Sequence, residues 1–105
     1  METEEELIQK IKKYPFYIQF IKNPSEKVQL TAVKQNGSTI YYIKNPSEKV
    51  QLEAVKQDGS LIYLIKNPSE NVIRTAILNG AEKKDLIYIN TSKLSDETKL
   101  MIELL

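Results

Sequence analysis

The chain has no cysteine and no histidine among its 105 residues. The first absence excludes disulfides, thiolate metal sites and cysteine nucleophiles. The second removes the commonest general base and the commonest metal ligand. Glycine is limited to Gly37, Gly59 and Gly80, each where a helix is expected to end, so no loop can cradle a phosphate. Charge of one sign is also lacking: fifteen basic residues face fourteen acidic ones, for a formal net charge of +1. A nucleic-acid binder normally carries a strong positive excess, so nucleic acid is the minority expectation. No apolar run approaches the roughly 20 residues of a membrane span. The first residues, Met1 to Glu6, are acidic where a signal or transit peptide is basic. A cytoplasmic chain without catalytic activity, metal or cofactor is expected. Asp and Glu could still act as acid and base, yet nearly all fall in first turns or beside lysines, and no pair is singled out.

What the chain does have is one phrase repeated. Ile21 to Leu30 reads IKNPSEKVQL, Ile43 to Leu52 reads the same, and Ile65 begins a third copy, with 22 residues between successive starts. Lys22–Ile43 and Lys44–Ile65 differ at only four positions: Thr31 against Glu53, Asn36 against Asp58, Thr39 against Leu61 and Tyr42 against Leu64. A short internal period means stacked units that bury their apolar faces against each other. At this length one domain with a real core is possible. The expected fold is all-α: a short, solenoid-like stack of about four helical hairpins (units near 3–21, 22–43, 44–65 and 66–90) plus a C-terminal helix over 95–105.

The boundaries come from capping chemistry. Thr3 and Glu6 form a capping box for a first helix that runs to about Lys13, where Tyr14-Pro15 stops it. In the later units, Asn23 and Asn45 are expected as caps, with Pro at the first helical position and Glu26 or Glu48 at the third. Each long helix then reaches Asn36 or Asp58, and Gly37 or Gly59 is expected as its left-handed terminator. The apolar residues Val28, Leu30, Ala32 and Val33 span an arc wider than one buried stripe, as a middle layer covered on two sides requires.

The short segments 38–44 and 60–66 are less decided, because Thr39-Ile40-Tyr41-Tyr42-Ile43 has strand-like composition. Helix is favoured over strand, with Ser38 and Ser60 as N-caps and Lys44 and Lys66 at the C-terminal end of the dipole. In the fourth unit Asp85 is expected as the cap, and Asp85 to Tyr88 pairs with Ser60 to Tyr63.

The runs Tyr42-Ile43-Lys44-Asn45-Pro46-Ser47-Glu48 and Ala54-Val55-Lys56-Gln57-Asp58-Gly59 resemble the tandem helical repeats of unknown function found in bacterial, phage and viral proteins. The likeness covers residues 16 to 80 and implies a helical repeat, with no catalytic or ligand residue to carry over. In type alone, as a short cofactor-free domain rich in Lys, Ile, Asn and Tyr, the chain is also similar to anti-CRISPR proteins. Those are small inhibitors that mobile elements direct at nuclease effectors.

Three sets of residues stand out. Lys12, Lys34 and Lys56 fall in one column and Lys27 with Lys49 in another, which reads either as an anion-binding ridge or as a solvated face balanced by Glu4, Glu26, Glu48 and Glu70. Tyr41, Tyr63 and Tyr88 form a column expected either in the core or at a partner surface. Aligning Ser95 with Asn23 places Leu100 and Leu104 inward and leaves Ile102 and Leu105, with Met101, on an apolar edge for an oligomer or effector. The expected function is a non-catalytic protein-binding module, in its sharpest form an inhibitor of a CRISPR effector nuclease. The rivals are a nucleic-acid-contacting repeat and a self-assembling structural module.

Overall fold

The computed structural model describes residues 2–105. Its elements follow the chain in pairs, one long helix and one short: α1 (Glu4–Lys13), η1 (Pro15–Phe20), α2 (Glu26–Gln35), η2 (Gly37–Tyr42), α3 (Glu48–Gln57), η3 (Gly59–Leu64), α4 (Glu70–Leu78), η4 (Lys83–Leu86) and a final α5 (Asp96–Glu103), the η elements being 3-10 helices. No strand occurs among the described residues, so the Ile-Tyr segments are helical despite their β-like composition. The fold is the all-α stack that the repeat period implies. Long helices touch in sequence, α1 on α2, α2 on α3, α3 on α4 and α4 on α5, while the 3-10 helices form a second row beside them. The body measures 49 × 21 × 17 Å, which gives each of its five layers about 10 Å, within the usual spacing of packed helices.

The core is a column of small and β-branched residues. Val28, Ala32 and Val33 of α2, Val50, Ala54 and Val55 of α3, and Val72, Ile73 and Ala76 of α4 are all buried. Each 3-10 helix contributes one buried isoleucine or leucine: Ile18, Ile40, Ile62 and Leu86. The outer flank of α1 is polar instead, with Glu6 and Lys10 where α2 has Val28 and Ala32, and Lys10 paired to Glu2 at 2.6 Å.

The helix starts differ from the sequence reading. Ser25, Ser47 and Ser69 are the N-caps, each accepting from the backbone N–H of the third helical residue, and Glu26, Glu48 and Glu70 come first in their helices. Asn23 and Asn67 lie two residues upstream in the left-handed region, at φ 53° and 49°. Proline explains the offset: Pro24 precedes the cap, and the serine hydroxyl after it is the group within reach of the orphan N–H groups.

That offset frees the glutamates for another task. Ser47 Oγ donates to Glu26 at 2.6 Å, Ser25 Oγ donates to Glu4, Asn71 Nδ2 donates to Glu48 at 3.1 Å, and the Ser95 backbone N–H donates to Glu70 at 2.5 Å. Each first-turn carboxylate thus ties its layer to the start of the next. Asn71 stands where the other copies carry Lys27 and Lys49, and the bond to Glu48 accounts for the change.

Gly37 and Gly59 also depart from expectation. Neither has positive φ, and both are buried. A Cβ on Gly59 would lie 2.0 Å from the Ala76 carbonyl oxygen and 2.7 Å from Ala81 N, so the side chain is excluded by the backbone of the next layer. At Gly37 the obstacles are Leu61 Cδ1 at 2.7 Å and Gln57 Oε1 at 3.0 Å. The glycine N–H groups are used across the same gap. Gly37 N donates to Gln57 Oε1 at 3.0 Å while Gln57 Nε2 donates to the Val33 carbonyl at 2.5 Å, and Gly59 N donates to the Asn79 carbonyl at 2.9 Å. Pro15, which holds this place in the first unit, has no N–H to satisfy. The left-handed glycine is Gly80, at φ 99°.

The N-caps of η2 and η3 are Asn36 and Asp58, whose Oδ1 atoms accept from Ser38 N at 3.0 Å and Ser60 N at 2.9 Å. Ser38 and Ser60 are therefore the first turn, not the caps. In η4 the cap is Glu82, with Asp85 reaching back to the Glu82 N–H at 2.9 Å. Asp85 is the third residue of that turn.

Two outcomes follow. Gly59→Ala should cost about 1–3 kcal/mol in urea melts, because rigid backbone opposes the new methyl, and Gly37→Ala should cost less, since the Leu61 and Gln57 side chains can swing aside. Equal costs would mean that the close approach of α4 is not what demands Gly59. The second outcome concerns acid. The Ser95 N–H holds the Glu70 carboxyl below its ordinary 4.5 against the opposing effect of desolvation, with smaller help from the Ser95 and Thr98 hydroxyls and the Arg74 charge. A lowered carboxyl contributes stability above its ordinary pKa and loses it as pH falls through the folded value, so acid should loosen α5 from α4. The Ser95 amide resonance should titrate with a midpoint below 4.5, and Glu70→Gln should abolish that titration.

Candidate interaction surface on the 3-10 row

The 3-10 helices turn one residue inward and leave the next two outside. Ile40 is buried and Tyr41 and Tyr42 are exposed; Ile62 is buried, with Tyr63 exposed and Leu64 half-buried. The pattern is set by the hydrogen bonds that close each short helix, Ile43 N to the Ile40 carbonyl and Ile65 N to the Ile62 carbonyl, both at 3.0 Å. With i→i+3 bonding, the last turn of each short helix buries its first residue and turns the following ones outward, while Thr39 of the first turn of η2 is buried beside Ile40.

Tyr41, Tyr63 and Tyr88 are 65%, 62% and 91% exposed, which rules out core packing for all three. Their alignment in one column also changes. In the fourth unit Ile89 N bonds to the Leu86 carbonyl at 3.0 Å, so Leu86 takes the place of Ile62 and Ile87 that of Tyr63. Tyr88 then falls in the adjacent column, after Phe20, Tyr42 and Leu64. The repeat interval from Ile65 to Ile89 is 24 residues against 22 before it, and matching Tyr88 to Tyr63 by residue type had overcounted the insertion by one. All three tyrosines nevertheless border one groove.

That groove encloses about 840 Å³ between η3, the start of α4, η4 and the connector to α5. Its floor is apolar, with Ile62, Ile65, Ile73, Ile89 and Leu94, and its rim carries the tyrosines together with Lys66, Lys93, Glu70 and Asp85. The groove sits where the period breaks, because the lengthened η4 segment does not close over α4 as η2 and η3 close over their partners. Toward the N-terminal side the aromatic surface continues: Tyr41 meets Tyr42 edge-on with centroids 5.0 Å apart, and Tyr42 meets Phe16 at 6.1 Å. At about 200 Å² per aromatic side chain, Phe16, Tyr42, Tyr41, Tyr63 and Tyr88 leave on the order of 600 Å² exposed. The largest apolar patch of a typical monomer is about 300–600 Å².

The other residues singled out by sequence lie elsewhere. Lys34 and Lys56 are exposed on the last turns of α2 and α3, outside the groove. Met101 and Ile102 are half-buried on α5, Ile102 against the core, and Leu105 borders a smaller cleft with Glu82, Lys83 and Lys84. Leu100 and Leu104, expected inward, are instead 53% and 77% exposed. The true cap accounts for the reversal. Ser95 caps α5 as Ser25 caps α2, so Thr98 matches Val28 and Ile102 matches Ala32; aligning Ser95 with Asn23 turned the helix by two residues, about 200°. Sequence reasoning missed Lys66 and Lys93 as groove residues, and only the break in period at the fourth unit signalled that a groove would open beside them.

No helix among the described residues is long and apolar enough to cross a membrane, and no cluster of three or more Asp or Glu side chains among them could hold a metal ion.

Because Tyr41 and Tyr63 are exposed, Tyr41→Ser and Tyr63→Ser should each change stability by less than about 0.5 kcal/mol. Ile62→Ala, one residue away, should cost about 2–5 kcal/mol. Thermal melts of the three variants check the inside–outside assignment of the row. Comparison with protein-family models, with curated proteins and with solved structures returns no match to this chain.

Proposed function

We propose that the chain is a non-catalytic protein-binding module that engages its partner through the aromatic surface of the 3-10 row. The observation that carries this reading is the exposure of Tyr41, Tyr63 and Tyr88 around one groove, on a face whose buried positions are already filled by Ile40, Ile62 and Leu86. These tyrosines lie outside the core, and an exposed aromatic area at the upper end of the ordinary range is often functional. Tyrosine brings large contact area at low entropic cost. Inhibition of a larger effector, a CRISPR nuclease among them, is the sharpest form of the reading, and an elongated body with aromatic residues exposed along one side suits it. The lysine columns support nucleic-acid binding less well, since they alternate with carboxylates and give no steering field at a net charge of +1.

Affinity capture from a lysate of the native host tests the proposal. The wild-type chain should retain a stoichiometric protein that survives a rise from about 50 to 200 mM salt. Tyr41→Ser/Tyr63→Ser/Tyr88→Ser, with unchanged circular dichroism, should lose it. Retention of the same protein by both chains overturns the assignment, as does recovery of nucleic acid alone with steep salt dependence.

A further inference from the structure

The residue that follows each asparagine decides how its side-chain amide can react. Asn23, Asn45 and Asn67 precede proline, whose nitrogen has no hydrogen to give up, and Asn71 and Asn90 precede the β-branched Val72 and Thr91. Only Asn36 and Asn79 precede glycine, where no side chain hinders the backbone nitrogen. That nitrogen can bond to the Asn Cγ. The Cγ–Nδ2 bond then breaks, ammonia leaves carrying the amide proton, and water opens the resulting succinimide ring to aspartate or isoaspartate.

The fold treats the two places differently. At Asn36 both reacting groups are held: Oδ1 accepts the Ser38 N–H at 3.0 Å, and the N–H of buried Gly37 donates to Gln57 Oε1 at 3.0 Å. Leu61 and Gln57 wall Gly37 in from the next layer. Asn79 and Gly80, just past the last turn of α4, are both exposed, and beyond the chain neighbours nothing lies within 4 Å of the position a Gly80 Cβ would take. The Gly80 N–H has only a turn bond to the Ile77 carbonyl at 3.2 Å, at a helix end, where chains fray.

We propose that Asn79 is a site of spontaneous deamidation and that the stack protects Asn36 from the same reaction. The consequences also differ. Unit three already carries Asp58 at the place of Asn36, and its Oδ1 caps η3 by accepting the Ser60 N–H at 2.9 Å, so a carboxylate serves there. Asn79 Nδ2 instead donates to the Thr75 carbonyl at 2.8 Å, which a carboxylate cannot do, and negative charge is unfavourable at a helix C-terminus. Isoaspartate lengthens the main chain and turns the Asn79 carbonyl, which accepts the Gly59 N–H at 2.9 Å, into a free carboxylate. Gly59 opens η3, whose Ile62, Tyr63 and Leu64 line the groove, so the reaction loosens the seam beside that surface. The inference does not depend on the protein-binding reading.

Peptide mapping by mass spectrometry, on the full chain kept in mildly alkaline buffer and sampled over weeks, tests it. In the folded chain Asn79 should convert about tenfold faster than Asn36, the factor set by freeing one well-made hydrogen bond. In concentrated urea the two should convert at similar rates. Gln57→Ala, which removes the clamp on Gly37, should raise the Asn36 rate and leave the Asn79 rate unchanged. Asn79→Asp should lower the midpoint of thermal unfolding, and Asn36→Asp should not. Equal rates at the two places in the folded chain overturn the proposal, as does faster conversion at Asn36, or an Asn79 that reacts in urea and not in the folded chain.

Discussion

Each middle layer of this protein has apolar residues on two flanks, and only another layer can cover them. How closely the layers approach therefore governs everything else. Ala32, Ala54 and Ala76 keep the long helices narrow where they meet their neighbours, and Gly37 and Gly59 let the next layer come against the start of each 3-10 helix. A methyl group at Gly59 would meet backbone, so the spacing there is held by covalent geometry rather than by adjustable side chains. Burying a valine such as Val50 is worth roughly 1.5–3 kcal/mol, and the repeat collects that gain on both flanks of every middle helix.

Polar groups are arranged around the same contact. The serine caps accept from their own helix, and Ser25 and Ser47 also donate to the carboxylate of the preceding layer, so one hydroxyl closes a helix start and fixes its distance from the neighbour. Gln57 does the corresponding work at the opposite edge, taking the Gly37 N–H and giving to the Val33 carbonyl. A repeat built this way has its hydrogen-bonding groups committed to stacking. What remains free for a partner is the outer side of the 3-10 row, where Tyr41, Tyr42 and Tyr63 follow the buried isoleucines.

The groove arises because the fourth unit keeps this logic imperfectly. Asn79 replaces the glutamine clamp with a backbone carbonyl, Gly80 turns the chain through a left-handed residue, and two extra residues delay Leu86. The next 3-10 helix then lands displaced, and the space it does not fill is the space that Tyr41, Tyr63 and Tyr88 surround. A stack of identical units would present a uniform ridge. One irregular unit gives it a specific place.

The sequence by itself determined the number of units, the long helices and the stack, because a near-identical repeat with alternating cap and apolar signals admits few other arrangements; it favoured helix in the Ile-Tyr segments without deciding it. Thr3 with Glu6, Ser95, and the buried Val28, Ala32 and Val33 were legible for that reason. Tertiary structure decided the rest. Several hydroxyls and amides in Asn-Pro-Ser-Glu could cap the helix, and only the folded backbone shows that Ser25 does, a difference of two residues that turns each face inferred from it by about 200°. Gly37 and Gly59 looked like left-handed stops because glycine often is one, whereas their reason is the next layer, Leu61 and Gln57 for Gly37 and Ala76 and Ala81 for Gly59, which no local pattern encodes. The tyrosines were ambiguous between core and surface for the same cause. Whether an aromatic residue is covered depends on how many residues the adjacent layer can bring to it, and that is a property of the packed stack, not of the segment that carries the ring.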